Sequence, residues 1–187
     1  PSPWHVVTTA GLGIAVIDGR PVPLNHLEEL EARIGAGARV RIPDGSALEI
    51  ASMGNMVIQM TSGTDATVPP VPGRWFGRRV HGEVNEGELR ITTGRSFHGA
   101  TLSLATPTAV IDVTGTTLAV ICESEGTCVC VYEGKVHVGE KNGPMVEVER
   151  MHRRYVYSDA RDPVTDSIRP NEIGALVNTH ANGDHFF

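Results

Sequence analysis

The chain has 187 residues, 40% of them hydrophobic and 20% charged, with a formal net charge of −6. That balance belongs to a globular domain with a buried core and excludes a disordered or fibrous chain, while the acidic excess excludes the basic surface that general affinity for nucleic acid or anionic lipid demands. No stretch approaches the roughly 18 consecutive apolar residues of a membrane span, and no basic segment followed by an apolar one marks a secretory signal.

The chain starts at Pro1 and not at Met, which fits a processed protein or an excised fragment and leaves room for a membrane anchor upstream. Short apolar alternations follow, broken by Gly, Asp, Asn and Pro. They predict strands at His5–Thr9 and Leu12–Ile17, with a turn at Asp18-Gly19. Leu24, Leu27, Leu30 and Ile34 recur at helical spacing, so a short helix is expected there, with Asn25 as its cap and Gly35 at its end. Strands are then predicted at Ala47–Ala51 and Met56–Met60.

Between Gly63 and Arg79 the sequence is rich in Pro and Gly and predicts a long exposed loop. Arg74, Trp75, Phe76 and Arg78 fall within it, an aromatic pair beside arginines, which is the composition of a protein contact. The competing reading folds Trp75 and Phe76 back onto the core. Further strands are expected at Glu88–Thr92, Ala100–Ala105, Thr108–Val113, Thr116–Cys122, Thr127–Tyr132, Lys135–Val138, Met145–Glu149 and Arg153–Tyr157. So many short strands predict an all-β fold: an antiparallel sandwich, a jelly roll or a β-solenoid, with one short helix. The expected organisation is an N-terminal segment of strands and helix (1–39) packed on a β domain (40–157), then a polar tail (158–187) that is either partly extended and disordered or laid as a strap along the domain.

Cys122, Cys128 and Cys130, the only cysteines, fall in one predicted hairpin. A three-residue loop at Ser124–Gly126 sets Cys122 opposite Cys128, close enough for a disulfide, and we expect that bridge if the chain matures in an oxidising compartment. A loop of even length instead points the two to opposite faces as buried thiols. Three cysteines with no histidine on the same face make no recognised zinc spacing, so no metal is assigned to them.

In the tail, His180, Asp184 and His185 match part of the His-x-His-x-Asp-His pattern of metallo-β-lactamase-fold hydrolases, with Asn182 at the second His. The further ligands of that family lie well downstream of the pattern, whereas here the chain ends two residues after His185. A metal-dependent hydrolase is therefore a distant alternative, and no metal or other cofactor is expected. There is also no Gly-x-Ser-x-Gly elbow and no phosphate loop.

Residues Ala105 to Gly139 resemble the signature stretch of the FecR family in Val113, Gly115, Thr116, Leu118, Val120, Gly126, Thr127, Val129, Val131, Glu133, Gly134, Val136 and Val138. Asp44-Gly45-Ser46 and Gly87-Glu88-Leu89 are similar to its strand openings, and the likeness covers roughly Val40 to Glu149. It implies a non-catalytic, periplasmic, membrane-anchored or membrane-associated sensory domain, as in FecR-type anti-sigma regulators. Such a domain would bind another envelope protein, either the signalling domain of a transporter or a subunit of a membrane complex. The rival is a structural subunit that spaces such a complex. No nucleic-acid partner is expected.

Overall fold

The computed structural model describes residues 3–187. In chain order the elements are β1 (His5–Ala10), β2 (Ile14–Ile17), β3 (Arg20–Pro23), α1 (Leu27–Arg33), β4 (Arg39–Arg41), β5 (Ala47–Ser52), β6 (Met56–Met60), β7 (Asp65–Thr67) and β8 (Arg79–Thr93). After a 3-10 turn at Arg95–Phe97 come β9 (Thr101–Ala105), β10 (Ala109–Val113), β11 (Thr117–Glu123), β12 (Gly126–Glu133), β13 (Lys135–Glu140), β14 (Val146–Glu149), β15 (His152–Tyr157), β16 (Val164–Ser167) and α2 (Pro170–Asp184).

The fold is all-β as expected, and every predicted strand is present within two residues at each end except Glu88–Thr92, which proves to be one end of the much longer β8. That strand is the spine of the molecule. Its first half runs parallel to β9, from Arg79 opposite Thr101 to Glu83 opposite Ala105, and also meets β7. Its second half lies between β6 and β11, both antiparallel to it. One strand thus joins the two halves of a sixteen-stranded sheet that folds around a shared core. The parallel β8–β9 pair departs from the antiparallel pairing of a sandwich or jelly roll. Alternation in the first half of β8 is what sequence reading missed: Val80, Gly82 and Val84 are buried while Arg79, His81 and Glu83 are exposed, and Gly82 at an inward position, among single charges, diluted the period-two signal.

The core is formed by Ile17, Leu48, Ile50, Ile58, Leu89, Ile91, Leu118, Val120, Val129 and Val131, with residues of the N-terminal segment (Trp4, Val22, Leu30, Ile34) in the same cluster. Trp4 donates its indole N–H to the carbonyl of Pro69 at 2.9 Å. The Glu31 carboxylate on α1 accepts the Val6 backbone N–H and contacts His5 Nδ1, each at 2.6 Å, fastening the helix to β1. The helix is shorter than expected at its start. Leu24 lies in the preceding turn, its N–H bonded to the carbonyl of Gly13, and His26, not Asn25, flanks the first turn with no side-chain cap.

A second helix corrects the reading of 158–187 as a polar tail and the expectation of a single helix. Pro170 occupies the first turn, where its fixed φ suits a helix and its missing N–H is no loss, and Glu172 accepts the Arg169 backbone N–H at 3.0 Å. Leu176 is fully buried beneath the helix, with Ile173 beside it against the sheet.

One buried charge has a pH consequence. Asp65 on β7 is 3% exposed and receives two bonds from Arg39 at 2.8 and 2.9 Å and two from Arg41 at 3.1 and 3.3 Å. The Arg39 guanidinium, with Arg41 behind it, holds the carboxyl below its ordinary value of 3.8 despite the opposing effect of burial. Because the folded-state pKa is the lower one, this stabilisation is present above the ordinary value and is lost as pH falls through the folded-state value. Asp65→Asn is expected to cost roughly 1–3 kcal/mol at neutral pH, as for other buried hydrogen bonds to charged groups, and to remove this part of the acid destabilisation. Denaturant melts of both proteins at neutral pH and at pH below 3.8 check this: parallel pH profiles would refute it.

Candidate functional site

The loop between β7 and β8 divides into an anchored base and a projecting tip. Val68 exchanges backbone bonds with Gly37 and Ala38 at 2.8 and 2.9 Å, and Pro69 and Pro72 are buried. The tip is closed by the Gly73 N–H on the carbonyl of Gly77 at 3.2 Å. Arg78 braces it, donating to the Gly73 carbonyl at 2.9 Å and to the carbonyl of His98. Arg74, Trp75 and Phe76 are left outside. Trp75 is 79% exposed and Phe76 88% exposed, so neither folds back on the core. The four residues singled out in the sequence are therefore brought together in different ways: three form an exposed cationic and aromatic tip, and the fourth holds that tip in place. The loop is shorter than expected, because β7 takes up Asp65–Thr67.

The β11–β12 hairpin corrects the expected Cys122–Cys128 disulfide. Its turn has two residues, Ser124 and Glu125, so that Glu123 pairs with Gly126, Cys122 with Thr127 and Cys128 with Ile121. The even-length loop sends the cysteines to opposite faces of the sheet. Cys122 enters the main core, its thiol 3.3 Å from the carbonyl of Val84, and burial pushes its pKa up to about 11. Cys128 and Cys130 share the other face, covered by α2, with Sγ atoms 3.7 Å apart, and all three are free thiols. Their contact shifts the two thiols in opposite directions: the hydrogen bond with Cys130 lowers the pKa of Cys128, and that same bond, with burial, raises that of Cys130.

Glu172, in the first turn of α2, brings a carboxylate to this pair; among the described residues these three form the one close group of metal-type side chains, their ligand atoms within 4.8 Å of one another. Arg153 on β15 stands beside it, bound to both oxygens of Asp166 at 2.7 and 3.1 Å and 3.9 Å from Glu172. The pattern in 158–187 singled out other residues. His180 turns its Nδ1 to the Thr117 hydroxyl at 2.8 Å and meets the Tyr132 ring edge-on, His185 caps the end of α2, and Asn182 donates to Glu49 at 3.3 Å. None of His180, Asp184 and His185 belongs to the close group. Burial beneath the helix raises the pKa of Glu49. His180 and Asp184 also border an open groove of about 760 Å³ together with Arg95, His98, Glu133 and Phe187.

The FecR protein family matches residues 30–137, more than half of the chain, and the chain belongs to that family. Two crystal structures of a candidate anti-sigma factor from Parabacteroides distasonis, at 1.65 and 2.50 Å resolution, share the fold at a TM-score of 0.60 and 18% identity. Each aligns with 74% of this chain, which spans 64% and 63% of their respective lengths. Among curated proteins none matches. Membership of the FecR family supports a regulatory or sensory role. Among the described residues no helix is long and apolar enough to cross a membrane.

Proposed function

We propose that this chain is a non-catalytic, periplasmic sensory domain that binds another envelope protein through the tip of the β7–β8 loop. The single observation that carries the reading is the tip itself, where Trp75 and Phe76 are presented to solvent at 79% and 88% exposure on a loop whose base is buried and braced. Holding two large apolar rings in water is unfavourable by the free energy of their unburied surface, on the order of 2 kcal/mol for a ring that a partner would cover. A rigid base lowers the ordering cost of that covering. FecR membership supports the regulatory class of the partner, either a transporter's signalling domain or a subunit of a membrane complex.

A photo-crosslinking amino acid at position 76, introduced into the full-length protein in its native envelope, tests the site. Illumination is expected to join the chain to one envelope protein, with far less product from the same group placed at the exposed Leu12. Equal yields from both positions, or no product from position 76, would overturn the assignment.

A further inference from the structure

We propose that Cys128, Cys130 and Glu172 form a binding site for a thiophilic divalent cation of the zinc class. Cys128 and Cys130 are two apart on β12, so both thiols leave the sheet on one face. Their sulfurs lie 3.7 Å apart. In tetrahedral coordination with metal–sulfur bonds of about 2.3 Å, two thiolates sit about 3.8 Å apart, so the pair is already at the spacing a zinc-like ion requires. The carboxylate of Glu172 lies within 4.8 Å of both sulfurs, and a sulfur–oxygen edge of about 3.6 Å is reached by a carboxylate shift of about 1 Å.

Sulfur ligands select against magnesium and calcium, and three protein ligands leave the fourth position open. Two of the three ligands, Cys128 and Glu172, border a groove of about 350 Å³ with Arg153 and Tyr155, which gives an ion a path of entry. Arg153 does not exclude the ion, because Asp166 holds its guanidinium through two bonds and the thiolates and Glu172 outnumber it in charge. Binding releases one proton from each thiol and transfers no electron. A disulfide between the same cysteines is the poorer outcome, since residues two apart on an extended strand have Cα atoms about 6.6 Å apart, at the long end of the range a disulfide tolerates.

Cys128 and Cys130 belong to the sheet and Glu172 to α2, so an ion here ties the helix to the sheet. The loop that carries Trp75 takes no part, and this site and the proposed docking tip stand or fall separately.

Cadmium, which absorbs in the ultraviolet when bound by thiolate, is the probe, titrated into the whole chain after reduction with a phosphine and confirmation of three free thiols. One cadmium per chain with a thiolate charge-transfer band is expected, and zinc should displace it. Cys128→Ser and Cys130→Ser should each weaken binding by more than ~100-fold, Glu172→Gln by ~10-fold or more, and Cys122→Ser, on the other face, not at all. If the cysteine variants fail to fold, the wild-type stoichiometry and Glu172→Gln decide. No bound cadmium on the reduced wild type, undiminished affinity in Glu172→Gln, or an equal loss in Cys122→Ser would each overturn the site.

Discussion

Gly126→Ala is expected to lower the unfolding free energy by at least ~3 kcal/mol, because it combines backbone strain with a clash against an immovable neighbour. Gly126 opens β12 at a φ of +150°, a region that side-chain-bearing residues rarely enter. A Cβ placed there meets the carbonyl oxygen of Val156 at 2.2 Å and Cα of Tyr157 at 2.9 Å, both backbone atoms of the paired strand β15. No rotamer relieves that contact, so β15 must move. The Ser158 N–H on the carbonyl of Glu125 at 2.9 Å moves with it, and β16 and α2 follow in the chain. The variant should therefore show protease cleavage within residues 158–187 at denaturant concentrations where the rest of the sheet is intact. Gly115→Ala separates the two causes: its φ is +148°, yet a Cβ there meets nothing within 4 Å. It should pay only the strain, ~1–3 kcal/mol. Equal denaturation midpoints for the two variants would show that the Val156 contact carries no cost.

The strands were legible because half-buried strands write their period into the sequence. Val113, Leu118, Val120, Val129 and Val131 alternate and are all buried in one cluster. Helix α2 was harder to read for a physical reason. Its buried contacts are few and spaced along a mostly polar segment, with Leu176, Thr179 and Gly183 inside, and a glycine and a threonine do not register as an apolar stripe. The signal present was local: Pro170 followed by Glu172 is a helix-start pattern, and Ile173, Leu176 and Val177 continue at helical spacing.

Of the candidate sites, the exposed tip could be located from composition, but its bracing could not, since Arg78 reaches the carbonyl of His98 twenty residues away. The cysteines show the limit most clearly. Everything depended on whether the turn held two residues or three, and one residue of register exchanges the faces. Ser124-Glu125-Gly126 allows either; the structure takes the two-residue turn and starts β12 with Gly126 in its unusual conformation. Glu172 lies 42 residues beyond Cys130 by numbering, and only the packing of α2 onto β12 brings them together.

Trp75→Ala is expected to weaken capture of the proposed partner by ~2 kcal/mol or more, about 30-fold, while shifting the unfolding free energy by no more than ~0.5 kcal/mol. The two effects separate because the ring contributes almost nothing to the isolated fold: with 79% of its surface exposed, its removal opens no cavity. In the proposed complex the same ring would serve as a rigid aromatic anchor beside Arg74, the combination of residue types that dominates interface energetics. Arg78→Ala provides the complementary case. Its guanidinium bonds the carbonyls of Gly73 and His98, so its loss should loosen the tip and weaken capture by raising the ordering cost of binding, without removing a contact from the interface. Calorimetric titration distinguishes the two: Trp75→Ala should make the binding heat capacity less negative through lost apolar burial, whereas Arg78→Ala should leave it unchanged and make the entropy less favourable. A Trp75→Ala protein that binds as tightly as the wild type, or whose lost capture tracks only its unfolded fraction, would remove the loop tip from the interface.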